Sequence, residues 1–364
     1  MRPFRVNVKA ISLLALLTVI VVVFLRPLSQ TIPSNPLSPV TQWNFEDVCQ
    51  GKQPPKKPCC KSGPQYLIYG CTAHCGRWTG LQKGIVTAYL LSLLSNRTFN
   101  IEISSPCFLE KFLQPNTVQW QVQSEKIQHL TFQNFDMLND HGGNLFYHRE
   151  IQCGDFSRWF KTDVVYLQTN ESYVDSIRRH PHVAELIPWL HTMPLGNVYS
   201  YVMKTLFKLS SETEKSISSY FTNHIGKHTL ICTQIGEKSF VSGIDPRYSG
   251  IWTFFDQYKD ESKYRLYISA VSNDTKSFAL SRYQKQFLDS PGQVEGQDSC
   301  AGFEKTIIEE YILSKCDVLL VTRSSLGIIA AFVRGTNKDL YCYYQRRIFP
   351  CAIEVLHEIY PNGL

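Results

Sequence analysis

The chain is 364 residues long, 43% hydrophobic, 19% charged and 13% aromatic, with a formal net charge of +6. That balance excludes a disordered, fibrous or collagen-like polypeptide and allows one large globular domain or two of ordinary size. Beyond the N-terminus the basic residues cluster only as the pairs Lys56-Lys57, Arg178-Arg179 and Arg346-Arg347, which argues against a nucleic-acid partner and is compatible with a single pocket for an anion.

The first segment, with Arg2, Arg5 and Lys9, precedes an apolar run from Ala10 to Leu25. It reads as a cytoplasmic tail (1–9) and a transmembrane signal-anchor (10–25), with everything after it lumenal. The run rises about 24 Å at 1.5 Å per residue, short for a bilayer core of about 30 Å, and the flanking Lys9 and Arg26 reach water by snorkelling. The competing reading is a cleaved signal peptide, but Arg26-Pro-Leu-Ser-Gln lacks the small-x-small pattern of a cleavage site. Either way the twelve cysteines, Cys49 to Cys351, fall on the oxidising side, where disulfides are the default. Sequons begin at Asn96, Asn170 and Asn273. Asn170 and Asn273, in polar turn-like surroundings, are the expected glycosylation sites, whereas Asn96 stands between a buried helix and a strand. Residues 26–64, with Pro27, Pro33, Pro36 and Pro39 among Ser, Thr and Gln, read as a semi-extended stem.

From Gln65 the pattern changes. Tyr66-Leu-Ile-Tyr69 predicts a strand ending at Gly70, a glycine-bearing loop follows, and Leu81 to Leu94 predicts a helix apolar on nearly every face. Thr98 to Ile103 alternates as a strand, completing a βαβ unit. Between Thr117 and Phe221 only two helices stand out, around Tyr173–Arg179 and Tyr199–Leu209. Strands are then predicted at Thr229–Ile235, Tyr264–Ala270 and Asp317–Thr322, with a helix over Phe303–Ser314 and another just after Ser324-Ser325. The expected architecture is α/β in two regions, 65–222 and 223–364, with a cleft between them.

Two segments could carry chemistry. In Gly70-Cys-Thr-Ala-His-Cys-Gly-Arg-Trp-Thr-Gly-Leu-Gln-Lys-Gly84, glycines at a strand-to-helix turn serve either close approach of a ligand or tight packing. The spacing is neither the dinucleotide nor the Walker pattern. His74 between Cys71 and Cys75 raises a metal site, against which a lumenal disulfide is the simpler account. In Cys316 to Arg334, a buried strand delivers Arg323, Ser324 and Ser325 onto a helix start. Backbone N–H groups, hydroxyls and the positive helix end suit a phosphate there, and ordinary N-capping by Ser325 explains the serines equally well.

Together these residues resemble the GDP-fucose-dependent fucosyltransferases, in the branch with plant xyloglucan and bacterial α1,2/α1,6 enzymes. The matches are Gly80-Leu-Gln-Lys-Gly84 with Ala88-Tyr-Leu-Leu and Leu94-Ser-Asn-Arg-Thr98, then Cys316-Asp317 with Ser324-Ser-Leu-Gly327. Pro291-Gly-Gln-Val294 and Cys300 sit between them at family-like spacing. The resemblance implies a GT-B fold of two facing Rossmann-like domains, an acceptor-side one (65–222) and a nucleotide-sugar one (223–364). It implies a Golgi-lumenal, membrane-anchored enzyme that transfers fucose with inversion from GDP-fucose to a glycan hydroxyl, without cofactor or metal. Asp-x-Asp, the metal clamp of other Golgi transferases, is absent from the sequence. Donor contacts are implied at Gly80, Gly84, Gln234, Lys238, Arg323, Ser324, Ser325 and Gly327, and Glu237 or His74 is the candidate base. One departure stands out. The family carries a phosphate-holding arginine just after the strand read as Leu230–Ile235, and here the chain runs Cys232-Thr-Gln-Ile-Gly-Glu-Lys238. Lys238, Arg247 or Arg323 is left to supply that charge; the alternatives are a catalytically inactive lumenal binder of glycan or protein, or an anchored structural protein.

Overall fold

The computed structural model describes Cys49, Pro55 and residues 63–73, 76–138, 145–236, 249–290 and 299–361. The expected span at 10–25, most of the stem, and His74, Glu237, Lys238 and Arg247 lie outside the described residues. Among those described, no helix is long and apolar enough to cross a membrane.

The fold is α/β with two mainly parallel sheets. In the first, β1 (Tyr66–Cys71), β2 (Thr98–Ile103), β4 (Phe132–Asp136) and β5 (Val164–Gln168) run parallel in the order β2-β1-β5-β4. Leu67, Ile68 and Tyr69 of β1 are wholly buried, as befits a central parallel strand covered on both faces. The helix Trp78–Leu94 returns the chain from β1 to β2 and is itself buried all round, from Leu81 and Ile85 to Leu94. It lies so close to the sheet that a Cβ on Gly84 would sit 1.9 Å from the Thr169 carbonyl oxygen. After that helix Arg97 turns inward, its guanidinium donating to the carbonyls of Tyr66, Phe160, Thr162 and Asp163 at 2.8–3.2 Å, so one buried cation ties β1, β2 and the approach to β5 together.

The second sheet contains β7 (Thr229–Ile235), β8 (Tyr264–Ala270), β9 (Phe287–Leu288), β10 (Val318–Val321), β11 (Leu340–Tyr344) and β12 (Arg347–Pro350), in the order β12-β11-β10-β7-β8-β9. All neighbours are parallel except β11 and β12. From β7 the chain winds outward through β8 and β9, then crosses to β10 and winds the other way. The strand order therefore reverses between β7 and β10, the place where open α/β sheets bind ligands. A small antiparallel pair, β3 (Leu113–Pro115) with β6 (Phe207–Leu209), stands apart from both sheets.

One hydrophobic core runs through both halves. The helix Leu195–Leu206 packs on the helix Ser325–Arg334, with Tyr199 and Phe332 ring centroids 5.5 Å apart. Disulfides join Cys49 to Cys153, Cys107 to Cys300, Cys232 to Cys316 and Cys342 to Cys351, and Cys71 is also disulfide-bonded. Cys107–Cys300 crosses between the halves, 193 residues apart in sequence. Cys71 in a disulfide favours the second of the two readings of the Cys71–Cys75 segment.

Several expectations need amendment. The helix read as Tyr199–Leu209 ends at Leu206, because Phe207–Leu209 leaves it to pair with β3. Strands β4 and β5 were not anticipated: β4 is short and half polar, and β5 is a five-residue run among polar neighbours. The stem is not a free spacer throughout, since Cys49 is buried and bridged to Cys153 and the Pro55 carbonyl lies 2.9 Å from His182 Nε2. Gly84→Ala should lower unfolding free energy by about 2 kcal/mol or more, because the helix must back away from Thr169; denaturant melts of the two proteins measure it.

Candidate functional site

At the C-terminal edge of the second sheet, the ends of β7 and β10 are held side by side. Thr322 Oγ1 donates to the Gln234 carbonyl at 2.6 Å, and Thr233 Oγ1 donates to that of Leu320 at 2.8 Å. The chain leaving β10 turns at Arg323 and enters the helix Ser325–Arg334. Ser324, not Ser325, is the N-cap: its hydroxyl accepts from the Gly327 N–H. Gly236, leaving β7, fits against this cap, where a Cβ would lie 3.0 Å from Ser324 Cβ. The capping hydroxyl satisfies one of the first-turn donors, and the amides of Ser325 and Leu326 have no protein acceptor among the described residues.

These groups border a cavity of about 370 Å³ between the two halves. Arg323, Ser324, Ser325 and Gln234 line it from the second sheet, and Arg77, Trp78 and Thr79 close it from the start of the first long helix. The Gln234 side-chain oxygen is buried without a hydrogen-bond partner among the described residues. Of the cations on the walls, Lys276 is engaged with Asp289 at 3.0 Å and Lys305 lies near Glu309, while Arg77 and Arg323 have no acidic partner among the described residues. Glu309 is the acid on the wall. Burial raises its carboxyl pKa, opposed by a hydrogen bond from Ser290 at 2.6 Å and by Lys305 and Lys276. The site thus offers an anion two backbone donors at a positive helix end, two cations without an acidic partner among the described residues, Lys305 beside Glu309, and a carboxyl acceptor.

The structure brings together Gln234, Arg323, Ser324 and Ser325 of the sequence-derived set. Gly327 lies one turn inside, 3.8 Å from Gln234 Cβ by its virtual Cβ, an ordinary contact that leaves room for an alanine. Gly84 and Gly80 do not reach the cavity: Gly84 serves helix-to-sheet packing, and Gly80 abuts Asn170. Asn170 is half-buried there, while Asn273 is exposed on the cavity rim, at the first residue of the helix Asn273–Tyr283.

Sequence reasoning missed Arg77, Glu309 and above all Glu310. Glu310 is buried on the helix Cys300–Ser314 and accepts from Trp78 Nε1 and from Gln82 Nε2, each at 2.7 Å. The two donors belong to the first half and the acceptor to the second. Trp78 also packs edge-on against Phe303, centroids 5.7 Å apart, and so forms part of the cavity wall that Glu310 anchors from behind. The signal was present: Phe303, Ile307, Glu310 and Ser314 fall on one helical stripe, and an acid there interrupts an apolar face.

Burial pushes the Glu310 carboxyl from its ordinary 4.5 up to about 7, with the Gln82 and Trp78 hydrogen bonds holding it lower than burial alone would. Between those two values the folded state holds a proton that the unfolded chain has released. Stability is therefore full below about pH 4.5, falls by about 3 kcal/mol as pH rises to 7, and is flat beyond. Glu310→Gln stays neutral and can offer an N–H to Gln82 Oε1, which has no partner among the described residues. It should match the parent at pH 5, exceed it at pH 7.5, and abolish the decline between; thermal unfolding at both pH values measures this.

No family model and no curated protein matches the chain. Solved structures do. The α-1,6-fucosyltransferase NodZ soaked with GDP-fucose superposes with a TM-score of 0.52 at 10% identity, over 80% of this chain and 100% of that one. An arginine-to-lysine mutant of Arabidopsis thaliana FUT1 in complex with GDP gives 0.54 at 14% identity, over 85% of this chain and 76% of that one. Fucosyltransferase NodZ from Bradyrhizobium gives 0.51 at 11% identity, over 79% and 98%. The described chain has the α/β fold of these fucosyltransferases.

Proposed function

We propose that the chain is a GT-B fucosyltransferase that takes GDP-fucose as donor and a glycan hydroxyl as acceptor, with the donor's diphosphate at the start of the helix Ser325–Arg334. The observation that carries this reading is the cavity at the β7/β10 reversal, with the Ser325 and Leu326 amides and the cations Arg77 and Arg323 around it, without a partner among the described residues. The fold's likeness to proteins solved with GDP or GDP-fucose supports it.

When the sugar–oxygen bond breaks, charge develops on the departing diphosphate. Preorganised N–H groups and guanidinium side chains stabilise that charge more in the transition state than in the bound donor. The proposed reaction is inverting and metal-independent, with Arg323 and Arg77 taking the place of the arginine expected after β7, where the chain runs Gly236-Glu-Lys238. A guanidinium also supplies the paired donors that phosphate oxygens accept and a lysine does not. The Glu309 carboxyl on the cavity wall is an acceptor suited to the N1–H and exocyclic amine of guanine. We place the enzyme in the Golgi lumen, anchored by residues 10–25; four disulfides among the described residues support an oxidising compartment.

The lack of an arginine just after Ile235 favours a second reading, a catalytically inactive fucosyltransferase-like lumenal protein that binds nucleotide, glycan or a protein partner without transfer. Calorimetric titration of GDP into the compact unit Phe45–Leu364, with EDTA present, tests the donor site. Binding is expected, weakened about 10- to 100-fold by Arg323→Ala, the worth of one charge-assisted hydrogen bond. Glu309→Ala should weaken GDP more than it weakens pyrophosphate. Folded protein that takes up no GDP overturns the transferase reading. Binding without transfer of radiolabel from GDP-fucose to mixed glycans selects the second.

A further inference from the structure

A second cavity, of about 300 Å³, opens at the other end of the same two helices. The nucleotide cavity touches the N-terminal ends of the helices Cys300–Ser314 and Ser325–Arg334, whereas this one touches their last turns, at Ser314, Val333 and Arg334. Ten helical residues separate those ends by about 15 Å. Trp78 is the wall the two share.

The inside is mainly apolar, with Leu113, Met203, Phe207, Leu209 and Ile307 around Trp78 and the Glu310 carboxyl also on the wall. The mouth is basic, with Lys204, Lys208, Lys315 and Arg334. Arg334 is engaged by the carbonyls of Cys316, Thr336 and Asp317 at 2.8–3.2 Å. The three lysines are exposed and meet no acidic side chain within ion-pair distance among the described residues; Lys315 lies over the Tyr311 ring, 5.2 Å from its centroid. Lys204 is close enough to Lys315 for the like charge, after burial, to lower its pKa. Three helix C-termini converge here, and each contributes about half a negative charge. Four cations outweigh them by more than two charges. Glu214, which bears on Tyr311 from the helix Ser211–Tyr220, removes one more and leaves the mouth positive while Glu310 is protonated.

We propose that this cavity is a binding site for a small amphipathic anion, an alkyl or aryl chain inside against Met203, Phe207 and Ile307 and a carboxylate or phosphate between Lys204 and Lys315. A largely apolar chamber behind cations that lack a counter-ion among the described residues matches that chemistry on both counts, and its volume is at the lower end for small-molecule pockets, about 300–1,000 Å³. Neither the donor nor its reaction needs the site, so the inference stands apart from the transferase reading.

The test is photolabelling of the full chain in lipid nanodiscs with a diazirine-tailed decanoate, followed by peptide mapping. Adducts are expected on the peptides carrying Met203–Leu209 and Ile307–Lys315. Decanoate and decyl phosphate should compete, which of them better telling the headgroup, while inorganic phosphate and decyltrimethylammonium should not. The exposed double variant Lys204→Gln/Lys315→Gln, checked for an unchanged melting profile, should label at least fivefold less. Labelling absent from those peptides, competition by the cation as strong as by the anions, or full labelling of the lysine variant each overturns the proposal.

Discussion

A carboxyl group taken out of water costs several kcal/mol unless the protein surrounds it with donors, and Glu310 is placed where that demand joins the two halves of the molecule. Its two partners, Trp78 and Gln82, stand in the first turns of the helix that follows β1, and neither can move away without leaving a buried carboxyl unpaired. The first half is thereby held to the helix Cys300–Ser314 at a set distance, and the Cys107–Cys300 disulfide pins the beginning of the same helix. The cavity beside Trp78 and the chamber behind it both owe their walls to that attachment.

The rest of the site follows from sheet topology. Parallel strands all present their C-terminal ends to one edge, and the strand order reverses between β7 and β10, where the cavity opens. Small residues make the cavity usable. Gly236 lets the strand exit lie against the Ser324 cap, and the cap in turn consumes only part of the helix's donor set. The cations come from elsewhere in the chain, Arg77 from the first half and Lys305 and Arg323 from the second, so an anion in the cavity would draw on both halves at once. That is a physical reason for the proposed donor affinity to survive without an arginine after β7.

Much of this was legible beforehand. Strands β2, β7 and β8 fall where their hydrophobic patterns put them, and the serines of the β10 exit reach a cavity as their strand-to-helix setting suggested. The glycine turn misled, because a glycine required for packing against Thr169 and one required for a ligand carry the same letter. Strands β4 and β5 escaped notice since runs of five residues, half polar in β4, carry too little periodicity to read.

By itself the sequence determined the α/β class, the second sheet's principal strands and the basic, serine-bearing turn, because these rest on local periodicity and on residues adjacent in the chain. Only the tertiary structure decided which side chains share a cavity. Trp78 and Glu310 are 232 residues apart, as Cys107 and Cys300 are 193, and pairs so distant meet through the packing of whole elements. The protonation of Glu310 and the crowding of Lys204 against Lys315 belong to that same level, since burial and neighbouring charge exist only once the chain has folded.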